Sequence, residues 1–150
     1  MDDTKIAEQW DENAPRWAED VRAGRDVHRD AYNNPAFFEL LGDVDGLSIL
    51  DAGCGEGFNT RIVARSGARL LGVDISSEMI RRARLEEQQD PLGIGYEVAS
   101  MSQLGGVVAS ARFDVVISTM ALMDCPDYEG AVGEFARALK PGGRLVFNVT

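Results

Sequence analysis

An acid followed by three alternating glycines occupies the run Leu50-Asp51-Ala52-Gly53-Cys54-Gly55-Glu56-Gly57. It lies between a short apolar stretch and a segment of helical pattern. Glycines there let the backbone turn sharply and let a ligand approach with no Cβ in the way. The helix start beyond the loop offers free N–H groups and the positive end of the helix dipole. In dinucleotide enzymes such a loop holds pyrophosphate. Two residues speak against pyrophosphate here. Phe58 stands where the dinucleotide pattern asks for Gly or Ala. Asp51, just ahead of the glycines, repels pyrophosphate but suits a ligand bearing an ammonium group.

The next group able to do chemistry is Asp74, in Gly72-Val73-Asp74-Ile75-Ser76, 21 residues after Gly53. A carboxylate at the end of a second strand accepts hydrogen bonds from ribose hydroxyls. That position points to an adenosine-containing ligand without separating a dinucleotide from others, and Ile75 is placed to pack on adenine. Two further segments complete the pattern: Phe113-Asp114-Val115-Val116-Ile117-Ser118 running into Thr119, and Leu139-Lys140-Pro141-Gly142-Gly143-Arg144-Leu145-Val146.

These residues need elements to position them. Strands are expected at residues 48–51, 69–74, 95–99, 113–118 and 144–149, each rich in Ile, Leu or Val and bounded by turn residues. Nearly continuous apolar runs point to burial on both faces, as in a parallel sheet. Helical patterns lie between them at residues 60–66, 76–89 and 127–140, with Ser76 and Asp127 as caps and Pro141-Gly142-Gly143 as a stop. Residues 101–112 fit neither pattern cleanly. Strand alternating with helix predicts an α/β, doubly wound, mainly parallel sheet that binds its ligand at the strands' carboxyl ends. Ahead of it, residues 4–22 read as helix interrupted by Pro15. Asn34-Pro35 reads as the cap and first residue of a helix over residues 36–41.

Composition narrows the function classes. A chain of 150 residues with 45% hydrophobic and 27% charged residues is one ordinary globular domain. The net charge of −10 disfavours nucleic acid as a partner. No run is long enough to span a membrane, and the acidic start lacks the features of a secretory signal. Cys54 and Cys125 make no disulfide framework, and free thiols fit a cytoplasmic location. No metal site is expected. His28, the single histidine, reads as a solvated residue in preference to a base, and Arg81, Arg82 and Arg84 as a solvated helix face. For Trp10, Trp17, Tyr32, Phe37 and Phe38, packing of the first helices is favoured over lining a pocket.

The four motifs, in this order and spacing, resemble class I S-adenosylmethionine-dependent methyltransferases of the small-molecule, methyltransferase type 11-like group. The resemblance spans about residues 47–150, and Trp10-Asp11-Glu12-Asn13-Ala14 is similar to that group's helical cap. It implies a Rossmann-like methyltransferase fold apparently lacking its last two strands, a capping segment at residues 1–46 and a cofactor-binding core at residues 47–150. It implies S-adenosylmethionine as cofactor, S-adenosylhomocysteine as product, and methyl transfer to a small molecule by in-line displacement. The cofactor-binding residues it implies are Asp51, Ala52, Gly53, Cys54 and Gly55 at the methionine part, Asp74 at the ribose, and Ile75 at adenine. Ser100 and Met101 fall at the adenine edge, where the family usually has an acid in place of Ser100, and Thr119 falls beside the sulfonium. No catalytic residue is implied. Two other readings remain: a non-catalytic or truncated binding module of the same fold, and an NAD-dependent oxidoreductase. The final apolar strand would be a sheet edge, so a further C-terminal part or a homodimer across that edge is expected.

Overall fold

A computed structural model of the chain describes residues 2–150. Five strands form one parallel sheet: β1 (Ser48–Ala52), β2 (Arg69–Asp74), β3 (Gly95–Val98), β4 (Phe113–Thr119) and β5 (Leu139–Asn148). Their order across the sheet is β3-β2-β1-β4-β5. β1 therefore lies between β2 and β4, with Ile49 level with both Leu70 and Val115. The chain reverses its direction of travel across the sheet at that point, which opens a crevice at the carboxyl ends of β1, β2 and β4.

The alternation of side chains across the strands explains why the runs are apolar throughout. Ile49, Leu70, Val115 and Ile117 join one buried cluster, with Phe37 and Leu41 of α2 (Asn34–Leu41), Val63 of α3 (Phe58–Arg65) and Ile80 of α4 (Ser77–Gln89). Leu50, Leu71, Val73 and Val116 face the other way and pack with Ala131, Phe135 and Ala138 of α5 (Tyr128–Ala138). Residues 101–112 form turns, not a helix, yet Leu104 and Val108 are fully buried in that second cluster. Both faces are thus covered, as a parallel sheet requires.

Beyond shifts of one or two residues at element ends, three features differ from the sequence expectation. α1 (Asp3–Arg22) runs through Pro15 without interruption. Pro15 is exposed, so the carbonyl it leaves unpaired can bond to water. A single π-helical turn at Arg29–Asn33 leads straight into α2, so Asn34 is helical and does not cap. α5 stops at Ala138, and β5 begins at Leu139 opposite Phe113. The turn containing Gly142 is an excursion within that pairing, which resumes at Val115 opposite Arg144. Among the described residues, no helix is long and apolar enough to cross a membrane.

α1 lies across the sheet's carboxyl end because side chains fasten it there. Asp11 accepts hydrogen bonds from the Ser76 hydroxyl (2.6 Å), the Ser77 hydroxyl (3.1 Å) and the Glu78 N–H (3.0 Å). It thereby serves the free groups at the start of α4 from a distance in sequence, as a cap would from nearby. Burial raises the Asp11 carboxyl's pKa, but these bonds outweigh it and hold it below the usual range. At the other end of α1, Arg22 reaches Glu86 of α4 and Glu56 of the glycine loop (3.3 Å).

Candidate active site

The crevice beneath α1 is a concave cleft walled by α1, the glycine loop and the carboxyl ends of β2 and β4, the kind of place where small molecules and cofactors bind. Eight residues singled out from the sequence line it: Gly53, Cys54, Gly55, Asp74, Ile75, Ser100, Met101 and Thr119. Asp51 and Ala52 do not. They lie under the loop, 1% and 0% exposed respectively.

The glycine loop turns because Gly53 and Gly55 hold φ of +79° and +56°, where side chains are costly. Gly53 also has no room for one. A Cβ there would strike the Ala121 methyl and crowd Met101 Cε at 3.2 Å. The Gly53 and Cys54 N–H groups both donate to the Val73 carbonyl, at 2.8 and 3.0 Å, which ties the loop to β2. Asp74 continues that tie. Its Oδ2 accepts the Gly55 N–H (2.8 Å) and its Oδ1 the Ser76 N–H (2.9 Å). Each oxygen retains a second lone pair for a ligand hydroxyl. Burial raises the pKa of Asp74, and the N–H bonds only partly offset it.

Asp51 is more extreme. Its Oδ2 accepts the Thr60 hydroxyl at 2.7 Å, while its Oδ1 is buried without a partner among the described residues. Burial pushes this carboxyl up to about 7; the Thr60 hydroxyl opposes that, and the charge of Asp74 adds to it. Burial also raises Cys54 well above the ordinary thiol range, with help from Asp74, Asp51 and Glu56. A thiol raised in this way is less reactive than a free one.

Several cleft residues escaped the sequence reading. Arg29, from the π-helical turn, lines the cleft and is 7% exposed. Its Nη2 donates to Asn59 Oδ1 at 2.9 Å, and its guanidinium lies 4.7 Å from the centre of the Phe58 ring. Asn59 exchanges hydrogen bonds with Asn34, both 3.1 Å, and donates to Thr119 Oγ1 at 3.4 Å. Phe58, which argues against a dinucleotide, thus supports a cation at the cleft wall. Met120, after β4, holds φ +53° while its N–H donates to Asn148 Oδ1 at 2.9 Å. A non-glycine residue in that region is strained, a cost often stored at functional sites.

The aromatic residues divide. Trp10 and Trp17, edge to face at 5.6 Å, line the cleft. Phe37 is core, Phe38 packs against it, and Tyr32 is exposed. The favoured packing reading is thus right for Phe37 and Phe38 and wrong for the two tryptophans, whose lining role follows from α1 lying over the crevice. His28 is exposed, beside Tyr32 and outside the cleft. Asp114 serves the opposite end of the sheet, accepting the Ser48 N–H at 2.8 Å and the Lys140 ammonium at 3.1 Å.

Among the described lining residues, four carboxylates (Asp3, Glu56, Asp74 and Asp124) face one guanidinium, Arg29. Burial raises the Glu56 carboxyl, and Arg22 partly counters it. Such a wall suits a ligand with more positive than negative groups. A crevice at the switch point, a glycine loop and an acid closing β2 define a binder of a nucleoside-containing ligand. More specifically, the chain belongs to the methyltransferase-domain family, whose members' pattern matches residues 50–147. It is 34% identical over 110 residues to a ubiquinone biosynthesis O-methyltransferase of Alkalilimnicola ehrlichii, covering 73% of this chain and 44% of that protein. It is 33% identical over 120 residues to a demethylmenaquinone methyltransferase of Tropheryma whipplei, covering 79% and 48%. The crystal structure of an S-adenosylmethionine-dependent methyltransferase from Mesorhizobium loti superimposes with a TM-score of 0.69 at 37% identity, covering 75% of this chain and 51% of that one. The chain spans less than half the length of the two curated relatives.

Proposed function

We propose that this chain is the cofactor-binding part of an S-adenosylmethionine-dependent methyltransferase acting on a small molecule. The observation that carries the reading is the lining of the cleft, with four acids against a single cation around a loop where a Cβ would not fit. S-Adenosylmethionine bears a sulfonium, an ammonium and one carboxylate, so its charges complement that lining. When bound, it supplies a methyl group already activated on sulfur.

The chain's residues then have defined tasks. Gly53, Cys54 and Gly55 bring backbone close to the methionine part, and Ala52 backs that turn from below. Arg29, held by Asn59 and Phe58, pairs with the carboxylate. Asp51 acts on the ammonium through the loop, its charge favoured once a cation sits above it. Asp74 accepts the ribose hydroxyls, Ile75 packs on adenine, and Ser100 and Met101 close the adenine side. Thr119 and strained Met120 hold the backbone at the reacting end. An in-line displacement needs alignment and exclusion of water above all, and α1 with Trp10 and Trp17 covers the cleft to that end. Residues 1–46 thus act as a cap on a core of residues 47–150. The relatives' names and the acidic surface both support a small-molecule acceptor over a nucleic acid.

Calorimetric titration with S-adenosylhomocysteine, with NAD as control, tests this reading. Saturable binding of the first alone is expected. Binding of neither ligand, by protein with intact circular dichroism, would overturn it.

A further inference from the structure

Asp3, in the first turn of α1, lies far from every motif of the core, yet it lines the cleft. Its Oδ2 is fully buried and has no hydrogen-bond partner among the described residues. A carboxylate oxygen withdrawn from water without a donor is costly unless a ligand supplies one. The neighbours of Asp3 locate it along the cleft. Asp3 and Cys125 line the same cleft, and Asp3 is near enough for its charge to add to the burial that raises the Cys125 thiol's pKa, while the Ser102 hydroxyl, hydrogen-bonded to that thiol, opposes it. Cys125 packs in the same apolar cluster as Ala99 and Met101, the residues that follow β3. Asp3 therefore shares with Cys125 the part of the cleft wall that Ala99, Ser100 and Met101 also line.

The helix itself supplies a ruler. Asp11 fixes α1 at Ser76 and Glu78, immediately beyond Asp74. Asp3 is eight residues earlier, about 12 Å along the axis at 1.5 Å per residue. A nucleoside with a hydrogen bond at each end spans such a distance. If the ribose is at Asp74, the far edge of the base arrives beneath the start of α1. The hydroxyl that β3 offers there, on Ser100, is engaged with Ser102 Oγ at 3.0 Å. The edge of adenine carries a 6-amino donor, and Asp3 Oδ2 is the unengaged buried acceptor.

We infer that Asp3 accepts a hydrogen bond from the 6-amino group of adenine, so that the capping helix, and not the sheet, reads the identity of the base. The inference rests on the cofactor reading above. It makes α1 a specificity element as well as a cover, because a 6-oxo purine would set a carbonyl oxygen against the carboxylate.

The test compares S-adenosylhomocysteine with S-inosylhomocysteine, which has oxygen in place of the 6-amino group. Titrations use the full chain, Asp3→Ala and Asp3→Asn, with thermal unfolding as the check on folding. Wild type is expected to bind the adenosyl compound at least about tenfold more tightly than the inosyl one. Asp3→Ala should lose about tenfold for the adenosyl compound and change less than about twofold for the inosyl one. Asp3→Asn, which keeps an acceptor oxygen, should recover part of the loss. Equal weakening of both ligands by Asp3→Ala would show that Asp3 only seats the helix, and would overturn the inference. So would a wild type that binds both ligands equally, although the cofactor reading would then stand. Failure of folded wild type to bind either would overturn both.

Discussion

Replacing Asp51 by Asn should make the chain's stability less sensitive to pH, by an amount that the burial of this residue sets. Burial moves the Asp51 carboxyl from its ordinary 3.8 to about 7. The folded chain therefore keeps a proton that the unfolded chain has lost above about pH 4. The stability this group contributes is full below pH 4 and is lost as pH rises toward 7. At about 1.36 kcal/mol per pH unit, the whole window amounts to about 4 kcal/mol, of which about 2 kcal/mol falls between pH 5.5 and 8. Asn carries no such proton. It can still accept the Thr60 hydroxyl, while its amide nitrogen replaces the unpartnered Oδ1 and adds a cost independent of pH. Urea unfolding of both proteins at several pH values isolates the term. The variant should gain about 2 kcal/mol on wild type from pH 5.5 to 8. Groups common to both cancel in the difference, and the repulsion from Asp74 is already contained in the shift of Asp51. A stability difference that stays flat with pH would refute the reasoning, because it would mean that Asp51 is ionised at pH 5.5 in the folded chain.

Other perturbations follow from the same geometry. Gly53→Ala places a Cβ against Ala121 at a φ of +79°. It should cost about 1–3 kcal/mol and abolish S-adenosylhomocysteine binding, read by thermal unfolding and calorimetry. Asp74→Ala should weaken that binding more than about tenfold through loss of the ribose acceptor, and unchanged affinity would reject the ribose assignment. Asp11→Ala removes the bonds from Ser76, Ser77 and Glu78. It should cost about 1–3 kcal/mol and expose α1 to protease, so digestion at the wild-type rate would show that the helix is held by packing alone.

The core of the fold was legible because its signals are local. β2 ends at Asp74 as expected, and Ser76 caps α4, since a strand end and a hydroxyl cap are written in adjacent residues. The two-sided burial of β1 and β4 was legible in their unbroken apolar runs. The cleft's other wall was not. Asp11 meets its partners across about 65 residues, and Arg29 meets Asn59 across 30. In the chain each is one charge in a polar helical stretch. Trp10 and Trp17 looked like packing because periodicity shows that a helix has an apolar face, but not whether that face meets a core or a cavity. Pro15 predicted a break that exposure made unnecessary.

The position of α1 also sets an order of events in synthesis. The helix emerges from the ribosome ahead of α4, and Ser76 and Glu86, which hold Asp11 and Arg22, come 65 and 64 residues later. At about 5–20 residues per second, that interval is about 3–13 s. During it, Trp10, Trp17 and the face that will meet the cleft have nothing to cover. The opposite face carries Glu8, Glu12, Arg16 and Glu19, all exposed in the folded chain, and it keeps the waiting helix in water. The roof of the cleft is thus made well before the helix that holds it, and it waits for α4 to be seated.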